Sequence, residues 1–293
     1  MKRLLPILTA AAVLGFVAVT AAQSTHPSFD VTITGRGPAV ILIPGLLSSG
    51  EVWDSTVERY KDRYTLHTVT LAGFGGPTPI GAPFLPRVRD ELIAYIRAER
   101  LQKPILIGHS LGGVMAFWIG ATEPGIIGGI VAIDGVPFLP ALGNPAASAE
   151  AIAPQAAQMA NVYGSLSLEQ LVAQSRLGMG SLNTAPADVE RAMAWVAKSD
   201  ARAAGLAVSE LMTTDLRKDI AKIRTPVLLI GATGAAPEPM WPTMEKAYAA
   251  QVASLPSARV TIANKTRHFI MLDDPQFLFA AIDEFLSALP TVR

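Results

Sequence analysis

The stretch KPILIGHSLGGVMAFWIG, residues 103–120, decides the fold. An apolar run from Pro104 to Ile107 leads through Gly108 and His109 to Ser110, and a second apolar run starts at Leu111. The first run has the length of a buried strand and the second that of a helix. Gly108 and Gly112 stand two residues before and two after the serine, in the pattern G-x-S-x-G. One reading is mechanical, with small residues merely permitting a tight turn. The other is chemical: a nucleophile held out on a strained corner has close backbone neighbours, so both flanking positions must be small. The helix that begins there also aims its first N–H groups at any oxyanion formed beside the serine. A strand-to-helix junction at this pattern favours the chemical reading, and Ser110 is expected to be a nucleophile.

Working outward, FDVTITG (29–35) alternates as a strand does, and PAVILIPG (38–45) is a continuous apolar run of the buried parallel kind. Val52, Trp53, Val57 and Tyr60 then recur with helical spacing. YTLHTVTLAGFGG (64–76) reads as a strand closing in a glycine-rich loop, LPRVRDELIAYIRAERL (85–101) as an amphipathic helix, and GGIVAID (128–134) as a strand. TPVLLIG (225–231), a helix near 240–253, ARVTIAN (258–264) and a last helix, DPQFLFAAIDEFLSAL, resume the alternation. That order predicts an α/β protein with a mostly parallel central sheet flanked by helices. It breaks only at residues 136–224, which hold helical segments and no strand; Ser167 and Gln170 there are spaced as a capping box. The expected organisation is a core from 23–135 and 225–293, with 136–224 inserted after Asp134 as a helical cap, or lid. Phe138, Met159 and Trp195 of that insertion are candidate substrate contacts.

The chain has 293 residues, and 24 basic residues balance 24 acidic ones. With no charge run or basic patch, nucleic acid is not an expected partner. Half the residues are hydrophobic but only 6% aromatic, so the core is mainly aliphatic. Lys2 and Arg3, the apolar run from Leu4 to Val19 and the small residues Thr20 to Ala22 follow the order of a secretory signal peptide. Residues 1–22 are therefore expected to be removed, leaving no stable membrane anchor and a periplasmic or secreted protein. The basic pair is Lys-Arg rather than twin arginine, which favours the general secretory route. Without cysteine the chain forms no disulfide and no cysteine–metal site. It shows no metal-ligand cluster and no phosphate loop, so no cofactor and no metal are expected. Oligomeric state is left open.

A serine nucleophile needs a base, and the histidines are His26, His67, His109 and His268. His26 lies at the start of the mature chain and His67 mid-strand. His109 precedes the serine, so its side chain should point away from the hydroxyl. His268, in NKTRHFIMLDDP, follows the last strand, where loops gather at the same sheet edge as Ser110.

From about residue 29 to 290 the chain resembles the α/β-hydrolase family. LIPGLLSSGEVW, LAGFGGPTP, LIGHSLGG, IRTPVLLIGATG and RHFIMLDDPQ are similar to successive family motifs in the family's order. The first resembles the oxyanion loop, with Pro44 in place of the usual histidine; the resemblance implies main-chain donors at Leu46 and Leu111. Thr70 stands where many members have a loop-shaping aspartate. More consequentially, Gly234 stands where the family's usual triad acid would be. Asp134, at the end of the strand after the nucleophile helix, is the best substitute. Glu238, a few residues beyond the usual position, is the alternative acid, and a Ser110–His268 dyad without an acid is the third reading. A serine at the corner excludes the alkyl-ester chemistry of the epoxide hydrolases and haloalkane dehalogenases, which need aspartate there. The resemblance implies a hydrolase of carboxylic esters with small to medium, apolar acyl groups, working through an acyl-enzyme. Its alternatives are a lactonase or cofactor-free perhydrolase on the same triad, or a non-catalytic ligand sensor. The expected partner is a small-molecule ester or lactone.

Overall fold

The computed structural model describes residues 26–289. The expected signal segment, 1–22, lies outside the described residues. Seven strands form one sheet: β1 (Phe29–Gly35), β2 (Ala39–Ile43), β3 (Thr65–Leu71), β4 (Ile105–His109), β5 (Gly129–Ile133), β6 (Val227–Ala232) and β7 (Ala258–Ala263). Their spatial order is β1-β3-β2-β4-β5-β6-β7, with β1 antiparallel to β3 and every other pairing parallel. The central strands β4, β5 and β6 are buried along their whole length, as continuous apolar runs in a parallel sheet require.

A short 3₁₀ turn, Gly50–Trp53, precedes α1 (Asp54–Tyr60); α2 (Leu85–Ala98) and α3 (Leu111–Thr122) complete the first half of the core. α3 is buried on nearly all sides, which its composition explains: LGGVMAFWIGAT carries no charge and one hydroxyl. Between β5 and β6 come α4 (Ala149–Gly164), α5 (Leu168–Leu182), α6 (Pro186–Val196) and α7 (Ala201–Thr213). α8 (Trp241–Gln251), the single turn α9 (Ile270–Asp273) and α10 (Pro275–Ala288) complete the chain. The capping box of α5 forms as its spacing predicts, with the Ser167 hydroxyl accepting from Gln170 N–H at 3.2 Å and Gln170 Oε1 accepting from Ser167 N–H at 2.8 Å.

Within the insertion, α4 packs on α7 and α5 on α6. Polar ties hold it to the core. Trp195 Nε1–H donates to Glu51 Oε2 at 2.7 Å, Arg191 donates to Asp54 at 2.8 Å, and the Glu210 carboxylate accepts the Phe84 and Leu85 amides at the start of α2. These α2 amides are the ones a helix leaves without internal partners.

What positions the site is the parallel register. His109 of β4 pairs with Ile133 of β5, and Ile133 with Ile230 of β6. The residues just beyond these strands, Ser110, Asp134 and the segment 231–234, therefore emerge side by side at the carboxyl edge.

Candidate active site

Ser110 takes φ 52° and ψ −117°, a conformation costly for a residue with a side chain. The turn is held by its backbone: Ser110 N–H donates to Ile133 O at 2.8 Å, and Ser110 O accepts from Gly113 N–H at 2.9 Å. The glycine requirement is literal. A Cβ on Gly108 would run into the backbone of Gly112 and Gly113, and one on Gly112 into Ile43 and Pro44.

His268 stands between β7 and α9, and its Nδ1 lies 2.5 Å from Asp134 Oδ2. Nδ1 thus carries the proton and donates to the carboxylate, leaving Nε2 as the acceptor a serine hydroxyl needs. Asp134, at φ 48°, begins the turn after β5, and its side chain is only 11% exposed. Its second oxygen, Oδ1, accepts from the Tyr248 hydroxyl of α8 and from Ala232 N–H at 3.2 Å. Burial first, then the Asp134 charge and hydrogen bond, push the Tyr248 phenol well above the ordinary tyrosine range, so it stays protonated as a donor.

His109 lies behind the site. Its ring is 1% exposed, sits 4.5 Å from the His268 ring, and donates from Nε2 to the His268 carbonyl at 3.1 Å. Burial, and next the neighbouring His268 charge, hold it well below the usual histidine range. It is a neutral support for the histidine loop. Thr70 accepts from Gly50 N–H at 2.9 Å and so tethers the loop that follows β2.

Ser110, His268 and Asp134 line one cavity of about 470 Å³, together with Leu46, Leu111 and Met159. Leu111 opens α3, where backbone amides have no intrahelical partner. Most of the remaining wall is apolar, from Val136 and Leu139 through Met179 and Leu182 to Leu211 and Met212. Among the described residues, neither lysine nor arginine lines it. A larger cavity, about 750 Å³, opens at the amino ends of the strands beside Pro38, Lys103 and Leu289, and carries none of these groups. Among the described residues no cluster of His, Cys, Asp or Glu could hold a metal ion.

One alternative is set aside and two expected substrate contacts are corrected. Glu238 is exposed on the 3₁₀ turn Glu238–Met240, between Pro237 and Pro239, and makes no hydrogen bond to His268, whose Nδ1 Asp134 already engages. Phe138 is fully buried outside the cavity, with the Arg217 guanidinium 4.7 Å over its ring and its backbone bonded to Gln251. Trp195 is 1% exposed and spends its indole N–H on Glu51, at the seam with the core. Tyr248 is the site residue that sequence reading missed; it approaches Asp134 from 114 positions away, and no motif marks it.

The Alpha/beta hydrolase family model matches residues 40–281. A pimeloyl-[acyl-carrier protein] methyl ester esterase of Aeromonas hydrophila is 25% identical over 269 residues, covering 88% of this chain and 99% of the relative. Its counterpart in Aliivibrio salmonicida is 25% identical over 193 residues, 66% of this chain and 72% of that one. Among solved structures, a hydrolase from Pseudomonas aeruginosa superposes with a TM-score of 0.74 at 19% identity, covering 89% of this chain and 94% of that one. The enol-lactonase from Burkholderia xenovorans gives 0.70 at 16%, covering 88% and 96%. On the extent of the family match, the chain belongs to the alpha/beta hydrolase family.

Proposed function

We propose that the protein is a serine hydrolase of carboxylic esters, with Ser110, His268 and Asp134 as its triad and an acyl-enzyme as its intermediate. One observation carries the reading. His268 lines the same cavity as Ser110, and Asp134 engages its Nδ1 at 2.5 Å, which leaves Nε2 as the free ring nitrogen. The ester-cleaving relatives support the same chemistry.

In the first half-reaction Ser110 Oγ bonds to the ester carbonyl carbon while its proton passes to His268 Nε2. The Leu46 and Leu111 amides receive the oxyanion, and Asp134 stabilises the imidazolium. The carbon–oxygen bond to the alcohol then breaks, and the alcohol leaves with the proton from Nε2. Water repeats the sequence, releasing the acid and restoring the serine. The insertion at 136–224 serves as the cap, its Met159, Met179 and Leu182 forming part of the acyl wall. About 470 Å³ suits a small-molecule ligand, and a wall without lysine or arginine suits an uncharged acyl group of small to medium length.

A fluorophosphonate probe should label the native protein and leave Ser110→Ala unlabelled. Turnover of p-nitrophenyl acetate and butyrate should fall by about 10⁶ in the same variant, as for other triad serines. No labelling and no turnover in the native protein would reduce it to a binding protein on this fold. The reading places the enzyme in the periplasm or outside the cell, on the strength of the amino-terminal pattern. Mass spectrometry of exported protein should find the first 22 or so residues gone, and a product beginning at Met1 would contradict it.

A further inference from the structure

We propose that Tyr248 is a positioning residue for the triad acid, its hydroxyl fixing Asp134 so that Oδ2 faces His268. This rests on the reading of Asp134 as the triad acid. An aspartate χ2 is broad and roughly two-fold, so a carboxylate held by one bond can turn about it. Here the two oxygens have separate duties: Oδ2 meets Nδ1 of His268, and Oδ1 takes the Tyr248 hydroxyl with Ala232 N–H. The Tyr248 hydroxyl also lies 3.3 Å from Ala232 O, but its single proton goes to the ionised partner, where the hydrogen bond is stronger.

The room for the ring is built into β6. A Cβ on Gly231 would stand 2.7 Å from Cδ2 and Cε2 of Tyr248, so only a bare backbone lets the ring lie across the strand. Tyr248 is 3% exposed, and water cannot substitute for its hydroxyl without rearrangement.

The phenol therefore both orients the carboxylate and draws charge from it. Other titratable groups around His268 are His109 from β4, kept neutral by burial, and Tyr163 from α4 on the cavity wall. On its own segment are Arg267, which bonds the carbonyls of Gly180 and Asn183, and Asp273, which accepts from Thr184 and Arg267 N–H. None of these touches Asp134. Removing the hydroxyl leaves more negative charge facing the imidazolium that forms when His268 takes the serine proton.

The test is Tyr248→Phe, measured as kcat, KM and the pH profile of kcat/KM on a p-nitrophenyl ester, beside Asp134→Asn. Tyr248→Phe should lower kcat about 10- to 100-fold at unchanged KM, and the acid limb of the profile should move to higher pH. Adding Tyr248→Phe to Asp134→Asn should cost nothing further. Site-specific 3-fluorotyrosine at 248, a stronger donor of the same shape, should move the acid limb the opposite way. It keeps the test open should Tyr248→Phe fold poorly. An unshifted acid limb in both variants, with Asp134→Asn strongly impaired, would overturn the role of Tyr248 and leave the triad standing. Full activity in Asp134→Asn would instead remove the acid itself.

Discussion

The carboxyl ends of β5 and β6 lie side by side, and they are furnished differently. β5 ends in Asp134, whose side chain reaches the histidine. β6 ends in a segment whose residue 234, the position that resembles the family's usual seat for the acid, is glycine. Gly234 donates its N–H to Thr266 O at 2.7 Å, and a Cβ there would run into the Lys265 and Thr266 carbonyls. The segment leading to His268 rests on the backbone just beyond β6, at Gly234, where a side chain would otherwise stand. On the proposed reading the acid stands one strand over, on β5, and the seat beside Lys265 and Thr266 has no room for a side chain. β6 still contributes, through the Ala232 amide and through Gly231, which leaves space for Tyr248.

The strongest way to break this comparison is to force the acid back. Gly234→Asp should destabilise the protein by about 3 kcal/mol, since its Cβ meets backbone rather than a movable side chain. Placed in Asp134→Asn it should restore no turnover. Denaturant unfolding and a p-nitrophenyl assay read both results, and recovered activity would mean that the seat is open.

Gly231→Ala sharpens the comparison more gently. The added methyl meets the Tyr248 ring, which can shift, so the cost should be about 1–3 kcal/mol. A variant within 0.5 kcal/mol of the native protein by denaturant unfolding would show that the ring does not need the bare strand.

A change in the cavity wall serves as a contrast, because it should leave the acid untouched. Met179→Phe narrows the space beside Ser110 and should shift kcat/KM toward shorter acyl chains by about tenfold per excluded methylene. The pH profile on acetate esters should not move. An unchanged chain-length preference would take Met179, and with it this part of the insertion, out of the proposed acyl wall.

The smallest effect concerns stability against pH. Burial lowers the pKa of His109 in the folded state, so below the unfolded value of about 6.5 the unfolded chain binds the extra proton. Stability is therefore lost as pH falls from about 6.5 toward the depressed folded value. His67, also lowered by burial, acts in the same sense. His109→Phe should flatten the pH dependence by up to about 1.4 kcal/mol per pH unit in that window. Parallel curves for the two proteins would contradict this.

The elbow was legible because its constraint is local: Gly108 and Gly112 are needed by backbone that lies within a few residues and in the next strand. The sheet was legible because its strands are continuous apolar runs separated by helical spacing. His268 followed from loop placement and the small number of histidines. The sequence favours Asp134 over Glu238, because Asp134 ends the strand beside that of Ser110 while Pro237 and Pro239 restrict Glu238. The contact itself, across 134 positions of sequence, was not legible. Phe138 and Trp195 looked like pocket aromatics but have polar partners that composition cannot reveal, Arg217 with Gln251 for one and Glu51 for the other. Tyr248 is one of five tyrosines, and nothing in its own neighbourhood of sequence points to a carboxylate on another strand.

The most direct test of the account is the turnover number of Asp134→Asn set beside that of Glu238→Gln, both on folded protein. On the proposed reading Asp134 holds the tautomer and offsets the imidazolium charge, so its amide should cost about 10⁴ in kcat, the scale seen in serine-protease triads. Glu238 is exposed and makes no bond to the histidine, so its amide should leave kcat unchanged. Near-native turnover in Asp134→Asn, or a large loss confined to Glu238→Gln, would contradict the placement of the acid at the end of β5.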